Sequence, residues 1–313
     1  MPQEFLVKSE DISCHGEYPG SRPIDKLIRN GLIVLDKWTG PTSHDVSSQV
    51  KKIFGLKKVG HAGTLDPQVT GVLPVMLENS VKVMPALQKQ DKEYVGIMKL
   101  HKDTEEEKFR DVAKKFVGSI TQMPPVRSAV ARKERKRTVY SFDVLEKNGR
   151  DALFRTCVEA GTYIRAICHT IGKEIGGAHM SELRRTRAGR FVEQQAVKMQ
   201  DVVDAYVEWK ENGDERIREL VLPVEAATEN AKKIIVKDSA VYSIARGSPL
   251  YAGGISKAEE GIALGERIAL LTLRGELAAI GVAQLPSGQM IKGKKLAVRI
   301  DRVIIDQSIY PKM

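Results

Sequence analysis

The feature that most constrains the fold is a change of pattern near Pro223. Before it, strand-like apolar runs alternate with segments of helical periodicity, whereas only short strand-like runs separated by glycine-containing turns follow it. Closely spaced short strands indicate a small β barrel. A chain of 313 residues is long enough for two domains. We therefore predict a separate C-terminal domain, with strands at 233–236, 267–273, 278–285 and 297–305.

The region before Pro223 divides again. Prolines and glycines interrupt any period in residues 1–31, which we predict to form an irregular extension. Residues 32–222 then form the predicted main domain and 223–306 the C-terminal domain. In the main domain, a helix is expected to begin at Thr42 or Ser43 and to end at Gly55. Further predicted elements are strands at 32–35, 94–100, 139–145 and 153–158, and helices at 104–117, 164–175 and, as a pair, 200–221.

Positive charge is concentrated in two short runs. The chain has 50 Lys and Arg against 40 Asp and Glu, a net charge of +10. Residues 127–137 and 184–190 together carry +9 of this excess. A single charged run is often only a solvated surface, but two arginine-rich runs favour a phosphate-binding surface and a nucleic-acid partner.

Several function classes are disfavoured by composition. No apolar run is long enough to span a membrane, and the first ten residues lack a signal-peptide core, so we expect a cytoplasmic protein. Three separated cysteines (Cys14, Cys157 and Cys168) favour reduced, buried thiols over disulfides or a zinc site, so no metal is expected. Residues 288–294 match a phosphate-loop spacing, but Lys295 replaces the required hydroxyl, and a glycine-turn hairpin is expected there instead. We therefore expect no cofactor.

One loop has the composition of a reactive site. Asp66 is flanked by Gly60, Gly63 and Gly71 and is followed directly by Pro67. Glycines let a substrate approach the backbone, and proline restricts the conformations next to the carboxylate. The segment 57–74 is therefore predicted to be a shaped loop. Composition leaves two interpretations open: a catalytic carboxylate, or a local turn that Asp66 caps.

Ordered motifs resemble those of the TruB family of RNA pseudouridine synthases. Segment 60–67 reads Gly-His-Ala-Gly-Thr-Leu-Asp-Pro, and 161–165 reads Gly-Thr-Tyr-Ile-Arg. The likeness covers about 22–305 and is nearest to the dyskerin-type branch, in an archaeal form without a long lysine-rich tail. Two places depart from the family pattern. Trp38 stands where the family usually has proline, and the strand end 99–102 also differs. The other matching segments are 31–37, 40–44, 92–94 and 179–191.

The resemblance implies an α+β fold. A mixed, mainly antiparallel sheet with flanking helices would form the pseudouridine synthase domain, and the C-terminal barrel would be a PUA domain that binds RNA. The implied reaction detaches uracil from C1′ of the ribose and rejoins it through C5, which conserves every atom and requires no cofactor. By resemblance Asp66 is the nucleophile, acting either on C1′ of the ribose or through an elimination route, between which the sequence does not choose. Arg165 would form an ion pair with it in a site closed to water.

Other pocket residues are also assigned by resemblance. Tyr94 would stack on the target base and help to move the C5 proton, so it is a catalytic candidate with Tyr163, which would line the same pocket. Leu183 would pack against the base. His61 would occupy the space that the flipped uridine vacates. Without the resemblance, all four would be read as structural residues. The arginine run adds two further substrate-binding candidates, Arg184 and Arg185.

Three functions remain open at this point. The first is a guide-dependent catalytic subunit of an H/ACA ribonucleoprotein that modifies rRNA or tRNA, with the PUA domain bound to the guide RNA. The second is a stand-alone synthase for the tRNA T-loop, and the third is a non-catalytic RNA-binding assembly subunit. The resemblance implies three small protein partners: a zinc-ribbon-like subunit, a glycine-arginine-rich-family subunit and a kink-turn-binding ribosomal-type protein.

Overall fold

A computed structural model describes residues 4–124, 133–306 and 309–312. The α+β class is confirmed: the strands form two mixed, mainly antiparallel sheets. In the described residues the strands are β1 Phe5–Val7, β2 Gly31–Lys37, β3 Val59–His61, β4 Thr70–Leu77, β5 Lys92–Leu100, β6 Gly118–Gln122, β7 Arg135–Asn148, β8 Asp151–Val158, β9 Ala178–Ala188, β10 Phe191–Val192, β11 Leu222–Pro223, β12 Lys233–Val236, β13 Leu250–Tyr251, β14 Ile255–Glu259, β15 Arg267–Leu271, β16 Leu277–Ala283 and β17 Leu296–Val303.

The helices flank these sheets. The predicted start at Thr42 is confirmed, because the Thr42 side chain accepts a hydrogen bond from the backbone N–H of Asp45 and Asp45 reciprocates, which satisfies two free donors. None of the described helices is both long and apolar enough to cross a membrane. They are α1 Ile24–Arg29, α2 Ser43–Ile53, α3 Met84–Gln88, α4 Glu106–Lys114, α5 Ile164–Glu174, α6 Met199–Asn212, α7 Ile217–Leu220, α8 Asp238–Ile244 and α9 Ser287–Lys292.

The larger sheet has ten strands, with β9 at its centre. Its order is β11-β2-β4-β9-β5-β8-β7-β6, with β3 paired to β4 and β10 paired to β9. The strand β9 runs parallel to β4 and antiparallel to β5. Its register places Arg185 between Gly71 on one neighbour and Tyr94 on the other. This row brings together three sequence segments that lie far apart along the chain.

The prediction of a loop throughout 57–74 is wrong at both ends. Residues 59–61 form β3, and β4 begins at Thr70. Pro74 is accommodated inside β4 because its carbonyl faces the β3 side, where it accepts a hydrogen bond from Ala62 N–H. A backbone N–H at position 74 would point to that same side. The lack of this N–H in proline therefore leaves the hydrogen bonds between β4 and β2 unaffected. The loop proper is therefore residues 62–69.

The smaller sheet contains seven strands in the order β1-β14-β12-β15-β16-β17-β13. The predicted C-terminal strands are confirmed. The extension 1–31 is not irregular throughout, because β1 pairs with β14 and α1 lies near its end. The predicted glycine-turn hairpin at 288–294 is also wrong: the short helix α9 occupies most of that segment. Cys14 is exposed, contrary to the expectation of buried thiols, whereas Cys168 is buried.

A buried ion pair joins the extension to the segment after β11 and to the smaller sheet. Arg22 donates two hydrogen bonds to the Glu225 carboxylate, at 2.9 and 2.8 Å, and the Arg22 side chain is only 8% exposed. Glu225 also accepts a hydrogen bond from the backbone N–H of Leu277 at the start of β16. A buried pair of this kind fixes geometry, because either charge alone would be costly to bury.

Replacing Arg22 should therefore destabilise the whole fold. We expect Arg22→Met to lower the free energy of unfolding by about 3 to 5 kcal/mol, because Glu225 is left buried without a cation. Adding Glu225→Gln should recover part of the loss, since the amide still accepts the Leu277 N–H. Denaturant titration measures both effects. Lys26→Met is the control, because its ion pair with Glu17 is exposed; an equal loss there would contradict the prediction.

Candidate active site

The loop that carries Asp66 has a fixed backbone. Gly63 and Gly71 at its two ends have φ values of +99° and +101°, which residues with a Cβ rarely adopt. A turn closes between them, in which Val69 N–H donates to the Asp66 carbonyl at 2.9 Å. Leu65 and Val69 point into the core and are 3% and 4% exposed. The Asp66 side chain is thus presented to solvent by a loop that is anchored on both sides.

The start of α2 holds the same loop. The buried hydroxyl of Ser43 accepts a hydrogen bond from Leu65 N–H at 2.8 Å and lies 3.1 Å from the Leu65 carbonyl oxygen, to which it donates. Gly40 N–H donates to the Pro67 carbonyl at 3.0 Å. The segment 38–43 therefore lies directly against residues 65–67.

Lys37 forms a second brace beneath the loop. Its side chain is fully buried, and its Nζ donates to the carbonyls of Trp38, Pro67 and Val69 at 2.9, 3.1 and 2.9 Å. Burial lowers the pKa of Lys37, while the negative charge of Asp66 opposes that change. The sequence analysis gave Lys37 no role, although a lysine that ends a buried strand is an unusual pattern.

Arg185 is a third brace and not a surface residue. It is 1% exposed, and its guanidinium donates to the carbonyls of Val72 at 2.7 Å and Gly63 at 3.0 Å. Burial lowers its pKa, and hydrogen bonding to Tyr94 opposes the change. The expectation that Arg185 contacts RNA phosphates is therefore wrong, because a β-strand alternates its side chains and Arg185 faces the interior.

Arg165 lies beside the Asp66 carboxylate, as expected. The distance from Arg165 Nη2 to Asp66 Oδ2 is 3.4 Å, and the two side chains are 55% and 53% exposed. The pair is thus formed, but the site is open to solvent and not closed to water. The guanidinium of Arg165 thus lies beside an exposed carboxylate, an arrangement that suits a nucleophile.

Two of the residues that the resemblance assigns to the base lie in the core beneath the loop. Tyr94 is 9% and Leu183 8% exposed, and both belong to the core cluster that includes Leu65 and Val69. Gly96 makes room for Leu183, because a Cβ at Gly96 would lie 2.8 Å from Leu183 Cδ1. Tyr163 is half-buried just before α5, where its backbone exchanges hydrogen bonds with Gln122. Tyr94 and Leu183 thus belong to the buried cluster that also holds the loop residues Leu65 and Val69.

His61 lies on the other side of the loop, on β3. Its Nδ1 is 3.1 Å from Ser47 Oγ, and its Nε2 is 3.2 Å from Thr64 Oγ1. Burial, with added positive charge from Arg185 and His44, lowers the pKa of His61. The imidazole is therefore neutral at physiological pH, and its orientation is set by two hydroxyls.

The remaining arginines of the run 184–190 have intramolecular partners. Arg184 is 37% exposed and bonds Asp36 at 2.8 Å and Glu193 at 3.0 Å; its hydrogen bond to Asp36 raises its pKa. Arg187 bonds Cys157 Sγ and the Gly189 carbonyl. Arg190 pairs with Glu229. Of the run 127–137, residues 127–132 lie outside the described residues.

Lys92 is a buried cation that sequence reasoning left without a role. It is 4% exposed and donates to the carbonyls of Leu87, Gln88 and Gln90. Burial, and the positive charge of Arg185 nearby, lower its pKa to about 8. Within the described part of the chain, no group of three or more His, Cys, Asp or Glu side chains is arranged to hold a metal ion.

Comparison with known families agrees with this fold. The chain matches the TruB family pseudouridylate synthase N-terminal domain over residues 51–164 and the tRNA pseudouridylate synthase B C-terminal domain over 165–229. A DKCLD (NUC011) domain matches 3–47 and a PUA domain 232–304. The chain therefore belongs to the TruB family of pseudouridylate synthases, and its enzyme class is isomerase.

Individual relatives match over nearly their whole length. Proteins named probable tRNA pseudouridine synthase B from Methanocaldococcus jannaschii and Archaeoglobus fulgidus are 46% and 45% identical; each match covers 99% of this chain and 94% or 97% of the relative. A chain from an H/ACA RNP bound to a substrate RNA with 2′-deoxyuridine has a TM-score of 0.90 and 45% identity, covering 100% of this chain and 98% of that one. A chain from a Cbf5-Nop10-Gar1 complex has a TM-score of 0.91 and 47% identity, with 100% and 97% covered.

Two adjacent arginines should respond differently to substitution. We expect Arg185→Lys to leave the salt dependence of RNA binding unchanged and to destabilise the fold by about 2 kcal/mol, because it loses charged hydrogen bonds in the interior. Arg184→Gln should flatten the plot of log affinity against log salt by up to about one unit, since Arg184 reaches the surface. Binding titrations at several salt concentrations decide this; a flatter slope for Arg185→Lys would contradict its interior position.

Lys92 should make stability depend on pH. Its folded pKa of about 8 lies below the ordinary 10.5, so between these values the unfolded chain binds more protons and stability rises with pH. The free energy of unfolding of the wild type, relative to Lys92→Met, should increase by roughly 3 kcal/mol across this window. Lys99→Met, which removes an exposed lysine of the same strand, should show no such change. Parallel plots of the free energy of unfolding against pH for wild type and Lys92→Met would contradict the lowered pKa of Lys92.

Proposed function

We propose that this chain is the catalytic subunit of a guide-dependent RNA pseudouridine synthase. The observation that carries the proposal is the Asp66–Arg165 pair, held at 3.4 Å on a loop whose backbone is fixed by buried cations. An intact reactive carboxylate disfavours a purely structural role. Similarity to a chain of a substrate-bound H/ACA RNP supports guide-directed delivery of rRNA or tRNA.

In this proposal Asp66 is the nucleophile toward C1′ of the target ribose. Its carboxylate bonds to C1′ as the bond from C1′ to N1 of uracil breaks. After the base rotates, C5 bonds to C1′ and displaces the carboxylate, which regenerates Asp66. C5 then loses its proton, and N1 gains one. Arg165 orients the carboxylate. Tyr94 and Leu183 hold the freed ring against an apolar wall, and Tyr163 completes the pocket. Neutral His61 fills the place that the flipped uridine leaves.

The proposed assembly follows from the same similarities. We assign residues 1–31 to the extension, 32–222 to the catalytic domain and 223–306 to the PUA domain, which binds the guide RNA. The partners are a guide RNA, a zinc-ribbon-like subunit and a glycine-arginine-rich-family subunit, equivalent to Nop10 and Gar1 in the matched complex, and a kink-turn-binding ribosomal-type protein. The proposed location is the cytoplasm.

Substitution of Asp66 tests the proposal directly. Asp66→Asn should reduce isomerisation to background while RNA affinity is retained, because only the reactive carboxylate is lost. The measurement is tritium release from RNA that contains 5-tritiated uridine, using the chain with its small partners, with and without guide RNA. Asp151→Asn is the matched control, since it removes an equally exposed, ion-paired carboxylate from the same sheet.

The outcomes separate the three functions. Release by wild type only with guide RNA supports the guide-dependent synthase. Release from tRNA without guide would favour the stand-alone enzyme. Turnover by Asp66→Asn would overturn the assignment of the nucleophile, whereas bound RNA without release under any condition would favour a structural subunit.

A further inference from the structure

Trp38 is an exposed aromatic residue whose backbone lies next to the loop 62–69, which carries Asp66. It follows β2 directly and is 39% exposed. One ammonium group, Lys37 Nζ, binds the carbonyls of both Trp38 and Pro67, so these two oxygens lie within about 6 Å of each other. Gly40 N–H also donates to the Pro67 carbonyl. The backbone of Trp38 is therefore adjacent to the residue that follows Asp66.

The surroundings of Trp38 differ from those of the second tryptophan in the chain. The Trp209 ring lies 4.0 Å from the ammonium of Lys210 and 5.8 Å from the ring of Tyr206, and it packs against a core cluster. Trp38 has no such ring or cation contact among the described residues. Trp209 is explained by its packing, whereas the indole of Trp38 is available to a ligand.

The position of Trp38 is also rigid. The ammonium that binds its carbonyl is fully buried and is shared with two carbonyls of the loop. A ring on a fixed backbone loses little freedom when it stacks, so binding retains most of the contact energy. Such a residue is suited to recognise a flat ligand next to Asp66.

We propose that Trp38 stacks on a base that flanks the target uridine and so positions the RNA strand at Asp66. This inference rests on the proposed function and adds a binding residue to it. A flipped uridine remains joined to its neighbours, so the strand must pass close to the loop on both sides of Asp66. Stacking on tryptophan tolerates any base, because every base has a π face. This suits an enzyme whose target sequence is selected by a guide.

The kinetic consequence is specific to binding. Trp38→Ala should raise KM about tenfold, as expected for the loss of a stacking contact of about 1.4 kcal/mol, and should leave kcat unchanged. Trp38→Phe should restore most of the affinity, whereas Trp38→Leu should not. Circular dichroism and thermal unfolding verify that each variant is folded. A Trp38→Leu variant with wild-type KM, or a loss confined to kcat, would overturn the proposal.

Fluorescence provides a second test, because the chain contains only two tryptophans. In an Asp66→Asn background with the small partners, adding guide and substrate RNA should quench Trp38. The quench should persist in Trp209→Phe and disappear in Trp38→Phe. Since binding alone produces this signal, it is independent of whether isomerisation occurs.

The remaining outcomes contradict the proposal in distinct ways. A quench that survives in Trp38→Phe and disappears in Trp209→Phe would move the contact to α6. A change on adding the small proteins without RNA, with no further change on adding RNA, would identify a protein contact instead. Guide RNA alone should have little effect, since the contact is to the substrate strand.

Discussion

The site depends on buried cations that bind backbone carbonyls instead of carboxylates. Lys37 and Arg185 together hold carbonyls on both sides of Asp66. Burying a positive charge is costly unless its donors are satisfied, and each of these groups donates at least two hydrogen bonds to the loop or its flanks. Their donors thus fix the backbone that presents Asp66.

Backbone geometry explains two of the glycines around Asp66. Composition favoured glycine as a means for substrate to approach the backbone, but at Gly71 the close approach is between two strands of the protein. A Cβ on Gly71 would lie 2.2 Å from the backbone carbonyl oxygen of Arg185, so β4 and β9 could not pair as closely. Gly63 has only an ordinary contact, 3.4 Å from its Cβ position to the Arg185 guanidinium, and its φ of +99° is what favours glycine there.

How much could be predicted from sequence depended on how local the signal was. The start of α2 was predictable because Thr42 and Asp45 satisfy each other within one turn. The strand β9 was not, because its alternating pattern is hidden by arginines on both faces, one of which is buried. Pro74 favoured a loop because proline lacks a backbone N–H. It is tolerated in β4 because the edge to which that N–H would point faces Ala62, just beyond the end of β3. The motifs indicated which residues meet at the site, but the burial of Arg185 and Lys37 depends on contacts between distant strands.

The openness of the site constrains how the reaction can exclude water. Asp66 and Arg165 are each more than half exposed, yet the loop between them and the core is fixed by at least three separate elements. Closure by a rearrangement of residues 62–69 would break hydrogen bonds to buried charges, which is unfavourable. Cover supplied by the RNA would avoid that cost. A flipped uridine against Tyr94 and Leu183, with its neighbouring base on Trp38, would shield the carboxylate without moving the loop.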